Sequence, residues 1–120
     1  MSIPENPQPQ SAQKTPVEVR ANGDDGLTQR LQDSIVNEFR ESAEFEITQG
    51  KLPGTLIVTI PTNVSWEQVG RQTKLLYQVS FSERNQRNLG VSTGSCWESN
   101  LAKCAANIVA DAKTAAKNLR

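Results

Sequence analysis

Leu75-Leu76-Tyr77-Gln78-Val79-Ser80-Phe81-Ser82 alternates large apolar and polar side chains, the period of two that belongs to a strand with one buried face. Leu75, Tyr77, Val79 and Phe81 are expected on the core side, and Gln78, Ser80 and Ser82 on the other. Upstream, Thr55 to Ile60 is a β-branched run with Leu56, Val58 and Ile60 on one face, Thr55, Ile57 and Thr59 on the opposite face, and Pro61 as its stop. Still earlier, Phe45 and Ile47 alternate with Glu44, Glu46 and Thr48. The turn-forming Gln49-Gly50-Lys51-Leu52-Pro53-Gly54 then predicts a hairpin between these two runs. Downstream, the polar stretch Glu83 to Asn88 leads to Leu89–Thr93, a candidate fourth strand.

Two helical patterns bracket these strands. Leu27, Leu31, Ile35 and Phe39 recur every four residues behind a cap at Asp24 or Asp25. At the other end, Trp97, Leu101, Cys104, Ile108, Ala112, Ala115 and Leu119 form one stripe behind Ser95-x-x-Glu98, which has the form of a capping box. Ser65-Trp66-Glu67-Gln68 has a similar form and predicts one short helical turn, which Gly70 would end. The order helix, three or four antiparallel strands, helix predicts an α+β two-layer sandwich with both helices on one sheet face. The sheet then has an open polar face or an exposed edge, and an edge is where a further strand, including one from a second copy, can add.

Residues 1–26 hold six hydrophobic residues among Pro4, Pro7, Pro9 and Pro16, too few to offset the entropy of ordering them. They predict a disordered polar tether ahead of a single domain over 27–120. Lys14 and Arg20 against Glu5, Glu18, Asp24 and Asp25 make this tail about −2, although the whole chain has 13 basic and 13 acidic groups. The tail has neither the basic start nor the apolar stretch of a signal peptide, so it is either an ordinary terminus or the start of a mature exported chain. No apolar run approaches the roughly 18 to 20 residues of a membrane-spanning helix.

The chain contains no histidine. That removes the commonest general base, the Ser-His and Cys-His nucleophile pairs and the commonest transition-metal ligand. Gly94-Ser95-Cys96-Trp97 resembles the segment around the nucleophile of papain-like cysteine proteases, and the resemblance would make Cys96 the nucleophile. The family's histidine has no counterpart here, so no catalytic residue, cofactor or metal ligand is assigned. Cys96 and Cys104 form a disulfide only if the last helix starts after Ser95. Were both helical they would stand about 12 Å apart along the axis, beyond the roughly 7 Å a bridge spans. A bridge would imply an oxidising compartment.

Arg71, Lys74, Arg84 and Arg87 make residues 71–87 basic and are the candidate contacts for an anionic ligand or nucleic acid. The element order resembles that of double-stranded RNA-binding domains. Their basic cluster at the start of the last helix would fall near residues 95–103, where only Lys103 is basic, which argues against nucleic acid. Across 27–120 the pattern also looks like the small accessory domains of bacterial envelope-assembly lipoproteins. That similarity implies a non-enzymatic protein-interaction module, exported or periplasmic, with an unidentified protein partner. A cytoplasmic domain binding an anion is the alternative.

Overall fold

The structure, a computed structural model, describes residues 14–48, 53–83 and 87–119. The elements run β1 (Thr15–Ala21), α1 (Gly26–Arg40), β2 (Phe45–Ile47), β3 (Leu56–Ile60), β4 (Ser65–Val69), β5 (Gln72–Glu83), β6 (Asn88–Trp97) and α2 (Leu101–Ala116). Single 3₁₀ turns, Glu98–Asn100 and Lys117–Leu119, flank α2. The protein is α+β, with one mixed six-stranded sheet and two helices, rather than a three- or four-stranded antiparallel sheet.

The extra strands come from two places where local composition misled. Residues 15–21, assigned to the tether, form β1. Its alternation of Val17, Val19 and Ala21 with Glu18 and Arg20 is hidden by the low apolar content of the tail around it. Bonding to neighbours on both sides offsets the entropy of ordering this segment, and Val17 is fully buried. Residues 1–13, the rest of the expected tether, lie outside the described residues. The second place is Ser65–Val69, where the expected helical turn is instead β4, antiparallel to β5 with Val69 opposite Gln72. Gly70, at φ 62°, supplies the left-handed residue of the tight turn between them. Gln68, which would have closed a capping box, accepts from Thr73 Oγ1 across the hairpin at 3.0 Å.

β1 also overturns the expected hairpin between residues 45–47 and 55–60. β1 lies between β2 and β3 and is parallel to both, so β2 and β3 never meet. Parallel strands need a crossover connection, and α1 provides the one between β1 and β2. Asp25 is the cap that starts α1, accepting from the Thr28 backbone N–H at 2.7 Å. Thr28 is itself buried, and its hydroxyl accepts from the Val64 N–H at 2.9 Å, tying the loop after β3 to the helix start. Gly23 fits beside this loop because a Cβ there would lie 2.8 Å from the Asn63 backbone nitrogen.

β5 is the spine of the antiparallel half. β6 runs along residues 74–82 of β5, whereas β3 meets residues 80–83 and β4 residues 72–76. Because β6 overlaps both ranges, β3 and β4 must share the other edge of β5. Leu31, Ile35 and Phe39 from α1 and Cys104, Ile108 and Ala112 from α2 join one core with Leu56, Val58, Leu75, Val79 and Phe81. Both helices therefore cover the same face, as the strand alternation predicts.

Candidate interaction surface

β6 extends four residues past the expected Leu89–Thr93, to Trp97, so Ser95 is a strand residue and caps nothing. α2 begins at Leu101 with no side-chain cap, and Glu98 accepts instead from Arg30 Nη1 of α1 at 2.7 Å. This late helix start brings the cysteines together. Cys96 at the end of β6 and Cys104 in the first turns of α2 have their Cα atoms 5.7 Å apart and their sulfurs bonded at 2.08 Å. Both are buried. The Gly-Ser-Cys-Trp string is therefore a strand end whose sulfur is held in a bridge, and Cys96 has no free thiol to act as nucleophile.

Strand register sorts the remaining side chains by face. Leu76, opposite Ser95, and Trp97, opposite Lys74, point away from the helices, as do Val91, opposite Ser80, and Val69, opposite Gln72. These are four of the five exposed large hydrophobics among the described residues; Trp66 is the fifth. Leu76 and Trp97 are diagonal neighbours on adjacent strands, close enough for large side chains to touch. Gln78, Ser80, Thr93 and Ser95 share this face, which no helix covers.

Among the described residues the same sheet has three free edges. β2 is three residues long and carries Glu46; β4 is five residues long and carries Glu67. β6 is ten residues long and, from Asn88 to Trp97, contains neither charge nor proline. Among the described residues it pairs with β5 alone. On its core side, Ser92 is buried and donates to Asp111 of α2 at 2.6 Å, fixing the helix over the strand. Gly94 sits under the ring of Tyr77, where a Cβ would come within 2.7 Å of the phenol oxygen.

Of the four basic residues expected to form one anion site, the three that the structure describes do not converge. Arg71 is exposed in the β4–β5 turn and Lys74 lies in β5 opposite Glu67 and Trp97. Arg87 stands beyond the far end of the same strand, paired with the Glu83 carboxylate and donating to the Asn118 carbonyl at 2.7 Å. From Lys74 to Glu83 is about 30 Å at roughly 3.3 Å per residue. Arg84 lies outside the described residues. The recess beside Arg71, about 340 Å³, is bordered by the Arg30–Glu98 ion pair, which partly neutralises it. Among the described residues no three Asp, Glu or Cys side chains gather as a metal site would require.

Nothing in the sequence had marked the uncharged edge or the position of Trp97. The usable signal was the alternation Val91, Thr93, Ser95, Trp97, which continues β6 to the residue where the capping pattern placed a helix. The Asp25 carboxyl is held below its ordinary range, by the Thr28 backbone N–H first and the Thr28 hydroxyl second. It belongs to the helix cap and lies apart from the open face.

No family model matches the chain, and no curated protein matches its sequence. Its fold is similar to the crystal structure of protein XCC0632 from Xanthomonas campestris, of the family model DUF330. That likeness has a TM-score of 0.64 over 87% of this chain and 86% of that one, at 11% identity. Similarity at this identity shows a common fold. A minor lipoprotein from Acinetobacter baumannii aligns over 86% of this chain and 89% of its own at 11% identity, with a TM-score of 0.37, too low to bear on the fold.

Proposed function

We propose that this protein is an exported, non-enzymatic module of the bacterial envelope that works by contacting another protein through its open sheet face. The observation that carries this reading is the exposure of Val69, Leu76, Val91 and Trp97 on one sheet face, which no helix covers among the described residues. Large apolar groups set among polar ones, here Gln78, Ser80, Thr93 and Ser95 with Glu67 and Lys74 opposite each other, are the composition of a protein-contact surface. The Cys96–Cys104 bridge supports export, since such bonds persist in oxidising compartments. The fold shared with a bacterial protein agrees with a bacterial setting. The alternative, an anion-binding domain, is less supported because Arg71, Lys74 and Arg87 do not converge as phosphate contacts require.

A photo-crosslinking residue placed at Gln78, on the open face, tests the proposal in living cells that make the full chain. Protein adducts are expected from Gln78 and not from Gln29, an exposed residue of α1. Adducts from Gln29 alone, or from neither position, overturn it. The companion measurement is a gel shift at low salt, where no retardation of duplex RNA or DNA is expected. Retardation that Arg71→Glu with Lys74→Glu abolishes would restore the anion-binding alternative.

A further inference from the structure

We infer that β6 and the flank of α2 beside it form a two-fold self-complementary edge, so that a second copy of this chain extends the sheet across β6. The inference deepens the protein-contact reading by naming one partner, and it rests on a different surface, the edge rather than the open face. Ten consecutive uncharged, proline-free residues on a free edge lack the devices by which sheet proteins keep other strands away. The two other edges have them, being short and carrying Glu46 and Glu67.

Antiparallel self-pairing has only a few registers that keep each face matched. In the one centred on Gly94, Val91, 51% exposed, stands opposite the partner copy's Trp97, 39% exposed, and the pair occurs twice by symmetry. Thr93 then faces Ser95, and glycine faces glycine on the axis. This register alone sets the two exposed apolar residues of β6 against each other.

The helix layer has the same symmetry about the same point. Lys103, Asn107, Asp111, Thr114 and Asn118, at spacings of four, four, three and four, make one exposed row along α2 and the 3₁₀ turn after it. The row lies on the β6 side: Asp111 accepts from Ser92, and the Asn118 carbonyl accepts from Arg87. The opposite side of α2 carries Lys113, which pairs with Glu44 at 3.3 Å beside β2. Cys104 stands over Cys96 and Asp111 over Ser92, so Asn107 lies beside Gly94, midway between both fixed points. A two-fold axis through Gly94 therefore passes Asn107 and brings Lys103 of each copy to Asp111 of the other. Lys103 has no ion-pair partner among the described residues of its own chain. Apolar pairing in the sheet and charge pairing in the helices thus select one register independently.

Sedimentation of the full chain at two concentrations about a hundredfold apart tests the inference. The intact protein is expected to pass from monomer to dimer. Lys103→Glu, which sets two carboxylates against each other on both sides of the axis, should weaken the dimer by roughly tenfold or more. Lys103→Glu with Asp111→Lys should restore at least part of that loss, because exchanging the charges preserves their complementarity across the axis. Val91→Lys should weaken association without altering the circular dichroism spectrum, which serves as the check that each variant folds. A protein that stays monomeric at both concentrations overturns the inference, as does a dimer indifferent to Val91→Lys and Lys103→Glu. Either result leaves the crosslinking from Gln78 to judge the protein-contact reading separately.

Discussion

The two halves of the sheet handle their exposed strands in opposite ways. In the parallel half, β2-β1-β3, the side away from the helices buries its one large apolar residue, Ile57, and exposes Glu46 and Arg20, with Arg20 Nε bonded to Glu18 at 2.8 Å, and the free edge is three residues long. In the antiparallel half, the corresponding side of β4, β5 and β6 carries the exposed apolar residues Val69, Leu76, Val91 and Trp97 beside the opposed Glu67 and Lys74, and the free edge of β6 runs for ten uncharged residues. One core supports both halves, so the contrast does not arise from stability. It separates a flank protected against further pairing from one left open to it.

The largest expected effect tests whether the parallel half belongs to the core. Val17→Asp puts an unpaired charge at a fully buried point of β1, next to Leu56. It should abolish cooperative unfolding measured by circular dichroism, whereas an ordinary melt would return residues 15–21 to the status of a tether. Phe39→Ala removes the ring that meets Phe45 edge-on at 4.9 Å under the same half. Calorimetry should register a loss of about 3–5 kcal/mol for a cavity of that kind.

On the antiparallel side, Cys96→Ala with Cys104→Ala releases a short loop. By the chain-entropy relation it should cost about 2.5 kcal/mol, or roughly 10–20 °C in Tm for a domain of this size. Reductant should reproduce the shift in the native protein, and a Tm unchanged by both would show that the bridge does not hold α2 to β6. A smaller effect concerns the helix start in the parallel half. Asp25, held below its ordinary value, adds stability that is fully present above the unfolded carboxyl pKa of about 3.9 and is lost as pH falls through the lower folded value. Asp25→Asn keeps a good cap without the charge, so denaturant melts between pH 7 and pH 2 should show a shallower acid loss in the variant. The smallest change in stability, within about 0.5 kcal/mol, is expected for Val91→Lys, an exposed position. A destabilisation well beyond that would mean that Val91 serves the fold of its own chain.

Much of the architecture was legible in periodicity. The stripes of α1 and α2, the inward faces of β3 and β5 and the placement of both helices on one side follow from spacings of four and two. Three readings failed for a common reason: a local pattern competed with a strand partner that sequence alone does not reveal. Ser65-x-x-Gln68 and Ser95-x-x-Glu98 have the form of helix caps, yet β5 offers each a full backbone ladder, and the ladder prevails. β1 was invisible because seven alternating residues sit in a proline-rich tail, and only its two neighbours make ordering it worthwhile. Arg71 and Arg87 of the candidate anion site are close in sequence and distant in space because a twelve-residue strand separates them.

The sequence by itself determined which residues could be buried and, through the absence of histidine, which chemistries lacked their usual agent. Both are properties of side-chain type and spacing. Only the tertiary structure decided that Cys96 and Cys104 meet, since this depends on where α2 begins after β6 ends. It likewise decided that an uncharged strand lies at an edge, because an edge is defined by the absence of a neighbour, and neighbours here come from segments up to dozens of residues away.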